Sequence, residues 1–224
     1  MIIEEVRLYT AHMKEMRHFY ENVLGLPAVT ITSDSFSLQI GWTRMVFVES
    51  PAAYEPFYHF AWMIPSNRFR EAKAWISERT TLNVHEGRDE TYSVNWNSHS
   101  LYFEDPSGNI LELIAHHTVL NESDHAFGAG DLVSVCEIGL VSEDVSQSVL
   151  ELGRQGLEPW REWSDTFAPI GDVNGLFIVV KKERIWFFSD KPAQIFPMTV
   201  TIRGVGAMHL GSWQQLKEQR TIEK

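Results

Sequence analysis

The chain has 224 residues, enough for one large domain or two of roughly 100 residues each. Apolar residues make up 44% and charged residues 22%, which supports a packed core and excludes long disorder. Lys plus Arg number 19 against 30 Asp plus Glu, and the net charge of -11 repels phosphate backbones and argues against a nucleic-acid partner.

Cys136 is the only cysteine, so an internal disulfide and a Cys-rich zinc site are both excluded. The opening MIIEEVRLYT has no basic stretch or long apolar core, and no run approaches the ~18 apolar residues of a membrane span. These features predict a cytoplasmic protein with no membrane partner.

In chain order, Val6, Leu8 and Thr10 mark a first strand. Met13, Met16, Phe19, Tyr20, Val23 and Leu24 then recur at helical spacing, and Gly25 is a natural stop. Three β-rich stretches follow at 28–32, 36–40 and 44–49. The grammar restarts with a strand over 58–64. A helix with Ser66 as its cap buries Phe69, Ala72, Trp75 and Ile76, and strands follow at 82–85, 92–103 and 109–114. Asp105-Pro106-Ser107-Gly108 has the residues of a type I turn.

Residues 118–131 read as a polar linker. A third unit opens at Ser134, continues with a helix carrying Val145, Val149 and Leu152, and has strands at 175–181 and 184–189. Met198 to Ile202 reads as the first strand of an uncompleted fourth unit, and 214–224 as a charged tail. The pattern predicts an α+β protein of repeated βαβββ units, whose curved mixed sheets enclose a cavity. The expected division is 1–117 as two paired modules (1–52 and 56–117), the linker, then 132–213 as the third unit with its remnant strand. Function belongs in the concave space between units.

Three segments resemble the vicinal oxygen chelate superfamily, which includes glyoxalase I, extradiol dioxygenases and bleomycin resistance proteins. They are EVRLYT…MRHFYENVLGLP (5–27), YHFAWMIP (58–65) and LYFEDPSGNILELI (101–114), the last being the most specific. The resemblance implies a glyoxalase/bleomycin resistance/dihydroxybiphenyl dioxygenase-like fold. It also implies a divalent metal ion (Fe, Mn, Zn or Ni) held by residues on the first and last strands of two modules. Carried over position by position, these are Glu5, His59 and Glu112, with Phe47 in the fourth place, where it cannot bind metal. Glu137 occupies the first-strand position of the third unit.

Alternation along the strands puts His59, Ala61 and Met63 on one face. A tight hairpin at 105–108 pairs Leu101 with Glu112 and His99 with Ile114, within a slip of one residue. In that register His99 projects beside Glu112, as a further ligand or as an acid–base group. Tyr9, Phe47 and Trp96 are candidates for an aromatic pocket, and Arg7 for meeting an anionic substrate. The implied activity is that of a metal-dependent lyase, isomerase or ring-cleaving dioxygenase acting on a small molecule with adjacent oxygens. The alternative is a metal-free module that sequesters a small aromatic or cationic molecule. Members of the family often pair modules across subunits, so a homodimer fits the resemblance.

Overall fold

The computed structural model describes residues 1–52 and 54–213. The expected charged tail at 214–224 lies outside the described residues. The first unit comprises β1 (Ile3–Thr10), α1 (Met13–His18, continued by a π turn over Phe19–Val23), β2 (Thr30–Ile31), β3 (Ser35–Ile40) and β4 (Thr43–Glu49). The second comprises β5 (His59–Met63), α2 (Phe69–Ser77), β6 (Thr91–Ser93), β7 (Ser98–Glu104) and β8 (Ile110–His116). The third has β9 (Ser134–Ser142), α3 (Val145–Gly153), β10 (Phe167–Asp172) and β11 (Gly175–Lys181). The remnant is a hairpin of two strands, β12 (Met198–Ile202) and β13 (Gly206–Leu210).

Among the described residues these strands form two sheets. One has the order β13-β12-β1-β4-β3-β2, the other β10-β11-β9-β5-β8-β7-β6. The pairing differs from the expected one. Unit one joins the remnant hairpin through antiparallel β1 and β12, and unit two joins unit three through antiparallel β5 and β9. Every unit presents a similar first-strand edge, so no local sequence signal says which edges meet.

Other expectations shift locally. The expected strand at 184–189 is instead an excursion that returns at Ile185↔Pro192. The α2 cap is Arg68 without a side-chain bond, because Ser66 lies in the preceding turn and gives its backbone N–H to Asn121 Oδ1 at 2.9 Å. That bond belongs to the expected linker, which is tied to the α2 entry also by Arg68 Nη2 on the Ser123 carbonyl at 2.7 Å.

One apolar core draws on both sheets and the helices, with Val6, Leu8, Phe47, Phe60, Trp62, Leu111 and Leu113 all buried. The central strands give alternate residues to this core. On the opposite face of the seven-stranded sheet, residues of β5 to β11 line a cavity. The hairpin between β7 and β8 is fixed by Asp105. Its Oδ1 accepts the backbone N–H of Ser107 (2.9 Å) and of Asn109 (3.1 Å), while Oδ2 accepts Tyr20 Oη (2.7 Å) and Asn109 Nδ2 (2.8 Å). Gly108 takes the left-handed backbone the turn needs, at φ 72°.

Candidate metal centre

The register of three strands brings three donors together. Ala61 on β5 is opposite Glu112 on β8 and opposite Glu137 on β9. The two carboxylates therefore flank a small side chain and reach over it, and His59 stands two residues along the same face of β5.

Glu137 is there because β9 is irregular. Val135 pairs with Trp62, yet Glu137 pairs with Ala61, so one extra residue, Cys136, is accommodated between them. In an unbroken ladder Cys136 would oppose Ala61 and Glu137 would point into the core. A bulge of this kind re-aims a side chain without altering the residues on either side.

His59 Nε2 lies 3.7 Å from Glu112 Oε2 and 3.9 Å from Glu137 Oε2. The donor atoms of all three residues lie within 4.8 Å of one another. His59 Nδ1 is 3.1 Å from the Ile110 carbonyl, which can only accept, so the proton sits on Nδ1 and the Nε2 lone pair faces the carboxylates.

All three side chains are buried. Burial pushes both carboxyls well above the usual range, and for Glu112 the neighbouring Glu137 adds to the effect. Burial also lowers the His59 pKa, which the adjacent Glu112 partly opposes. Among the described residues no Lys or Arg pairs with either carboxylate, and Glu137 Oε1 is buried with no hydrogen-bond partner. Buried like charges with an orphaned oxygen are costly unless a cation joins them.

One imidazole nitrogen and two carboxylates form a donor set for a divalent ion. Ligands about 2.1 Å from such an ion lie roughly 3–3.5 Å apart, so the two separations from His59 need to close by only a few tenths of an ångström. The residues present fit a metal.

The surrounding cavity measures about 400 Å³. Hydroxyls of Thr91, Ser93, Ser98 and Ser100 form one wall, and Phe167, Ile178, Val180, Trp186 and Phe187 the other. Trp186 packs on His59 with ring centroids 5.1 Å apart, and its ring lies 2.6 Å from where a Cβ on Gly139 would be. Trp96 meets Trp160 edge-on at 5.2 Å, arching over one end of the cavity. The 184–189 excursion covers the metal end, with Phe188 stacked on Tyr102 at 4.7 Å.

Of the residues singled out in the sequence, His59, Glu112 and Trp96 meet at this cavity. Glu5 does not. It lies on β1 of the other sheet, 3.4 Å from Arg7 and 3.6 Å from Arg44. Arg7 is therefore an ion-pair partner away from the cavity, and Tyr9 on the same strand packs edge-on against Trp213.

Phe47 is buried in the core, stacked on Tyr20 and Phe36, because β4 alternation turns Val46 and Val48 to the other face. His99 is also displaced. The actual register pairs Tyr102 with Glu112 and His99 with Ala115, one residue from the expected one. That slip sends His99 to the opposite face, where it packs at a tilt against Phe69 and hydrogen-bonds His117 at 2.7 Å. Tyr102, Glu137 and Arg184 were not assigned a role from sequence. Only Glu137 had a signal, its first-strand position in unit three.

The sequence model of the Glyoxalase/Bleomycin resistance protein/Dioxygenase superfamily matches residues 2–113. No curated protein sequence matches the chain. Among solved structures, a candidate dioxygenase from Bacillus subtilis superposes with a TM-score of 0.57 at 17% identity, covering 100% of this chain and 74% of that one. A single-residue mutant of glyoxalase I from Zea mays gives 0.53 at 14% identity, covering 90% and 75% respectively. At these identities the likeness shows the fold alone.

Proposed function

The chain belongs to the glyoxalase/bleomycin resistance protein/dioxygenase superfamily, and from that premise we propose a divalent-metal enzyme acting on a small, planar, largely apolar substrate with adjacent oxygens. The observation that carries this reading is the buried set of His59, Glu112 and Glu137 at the floor of an aromatic-walled cavity. When bound there, a divalent ion supplies Lewis-acid polarisation of substrate oxygens.

The chain's own residues do the rest. The Ile110 carbonyl fixes the His59 tautomer. Trp186 and Phe187 exclude water and pack against a planar body. The Tyr102 hydroxyl, beside Glu112, is held protonated by burial, so it offers a proton at Oη to a carboxylate or substrate oxygen.

Two carboxylates and one imidazole make a harder donor set than the two imidazoles and one carboxylate of extradiol dioxygenases. That supports Mn, Mg or Zn and non-redox lyase or isomerase chemistry over ring cleavage by oxygen.

Elemental analysis after dialysis against Mn, Fe(II), Zn and Ni in turn tests the proposal. Wild type and Glu5→Ala are expected to hold about one equivalent, and His59→Ala and Glu137→Ala almost none. No stoichiometric metal in wild type under any condition would overturn the enzyme reading in favour of a metal-free sequestering module.

A further inference from the structure

Buried polar atoms in proteins are nearly always hydrogen-bonded, so those that are not call for a partner. Besides Glu137 Oε1, the buried atoms without a partner include Ser98 Oγ, and the His116 ring has at most the Trp96 backbone for its two nitrogens. Ser98 is 1% exposed and His116 0%. The two are directly opposed across β7 and β8, so their side chains share a face. That face is the one carrying Tyr102 and Glu112, and Ser98 lines the cavity. Ser134, opposite Met63 on β9, adds another unpartnered hydroxyl to this face. Aromatic rings enclose the pair, with Trp96 and Trp160 centred 6.4 Å and 6.2 Å from the His116 ring.

From this we infer that Ser98 and His116 form a second, polar subsite of the cavity, which holds an uncharged hydroxyl or amide at the far end of the substrate. The inference rests on the reading of the cavity as a substrate site and adds to it the chemistry of the substrate's other end.

Two features define that chemistry. The first is charge. Burial lowers the His116 pKa to about 4, which a bond to the Trp96 backbone partly opposes, so near neutral pH the ring is uncharged and offers an acceptor nitrogen, while the Ser98 hydroxyl both donates and accepts. A group that both donates and accepts satisfies them, whereas a carboxylate or an ammonium satisfies only half. The second is length. The Tyr102–Glu112 pair and the Ser98–His116 pair are four residues apart along the strands, about 13 Å between backbones. The substrate is thus elongated, with adjacent oxygens at one end, an apolar body, and a neutral polar terminus under the Trp96–Trp160 arch.

The test uses the full chain with Mn(II) and calorimetric titration of catechols bearing side chains of three to six carbons. Each chain ends in hydroxyl or carboxamide, or in the methyl isostere. At one chain length the polar-ended probe is expected to bind about tenfold more tightly than its isostere, a preference that Ser98→Ala and His116→Phe abolish. Equal affinities at every length in wild type would overturn the subsite, and so would a preference that survives in both variants.

Melting temperature gives a readout independent of any probe. Removing orphaned polar atoms should leave the variants at least as stable as wild type. A fall of several degrees in both would mean that these side chains are bonded to a resident water, and the subsite is then refuted. Metal content measured on the same samples separates the two readings. One equivalent without terminal-group preference overturns the subsite alone, and preference without metal overturns the metal centre alone.

Discussion

Asp105 shows how one side chain sets a turn and carries a pH dependence with it. Four donors converge on its carboxylate, yet full burial still raises its pKa to about 6, above the usual value near 3.9. A raised carboxyl pKa favours folding most below the unfolded value, and that contribution is lost as pH climbs through about 6. The Tyr20 hydroxyl offsets part of the loss by bonding the ionised form. Tyr20→Phe is therefore expected to destabilise the protein by about 1.5–3 kcal/mol at pH 8 and by clearly less at pH 5. Urea unfolding at the two pH values measures the gap, and a gap independent of pH would refute the account. The DPSGN motif was legible in sequence because its chemistry is local, with Asp, Gly and Asn each at the position the turn requires.

At the scale of elements, strand register decides what a sequence can reveal. His59 and Glu112 were legible because both lie on unbroken strands whose alternation can be read directly. His99 and Phe47 were misplaced by one residue, and in a strand one residue is the difference between cavity and core. Glu137 had the right place in the third unit, but no local pattern announces a bulge.

The bulge makes a sharp prediction. Deleting Cys136 closes the bulge with Val135 still opposite Trp62 and Glu137 still opposite Ala61, so Glu137 keeps its face and metal binding should stay within a few-fold of wild type. Calorimetry with Mn(II) or Zn(II) would show it, and loss of binding in a folded deletion variant would refute the register argument. Ala61→Leu is the converse experiment, since it leaves the register alone and fills the space that both carboxylates cross. It is expected to abolish stoichiometric metal, with circular dichroism unchanged.

At the scale of the whole molecule, the repeated units and curved sheets were legible from periodicity, while the choice of partners was not. The consequence is that the candidate site is composite, with two donors from unit two and one from unit three. The excursion over 184–189 strengthens that union. Lys191, beside it, donates to Glu104 Oε2 and to the Gly108 carbonyl, both at 2.7 Å and both in unit two. Asn83 Nδ2 donates to the Phe188 carbonyl at 2.9 Å. Lys191→Ala should leave the melting temperature within a few degrees of wild type while speeding amide exchange at 184–190. Exchange unchanged by the substitution would show that the aromatic stacking of Phe188 on Tyr102 suffices to hold the cover.

The indole rings around the cavity carry a consequence of a different kind. Trp186 lies against His59, while Trp96 and Trp160 form the arch at the other end. Each end of the cavity is thus walled by its own fluorophore. A paramagnetic ion at the carboxylates would quench the nearer ring far more than the pair beyond, and a ligand reaching the arch would perturb that pair in turn. Light emitted by the protein itself can therefore report which half of the cavity fills first, with no label added and no substrate turned over.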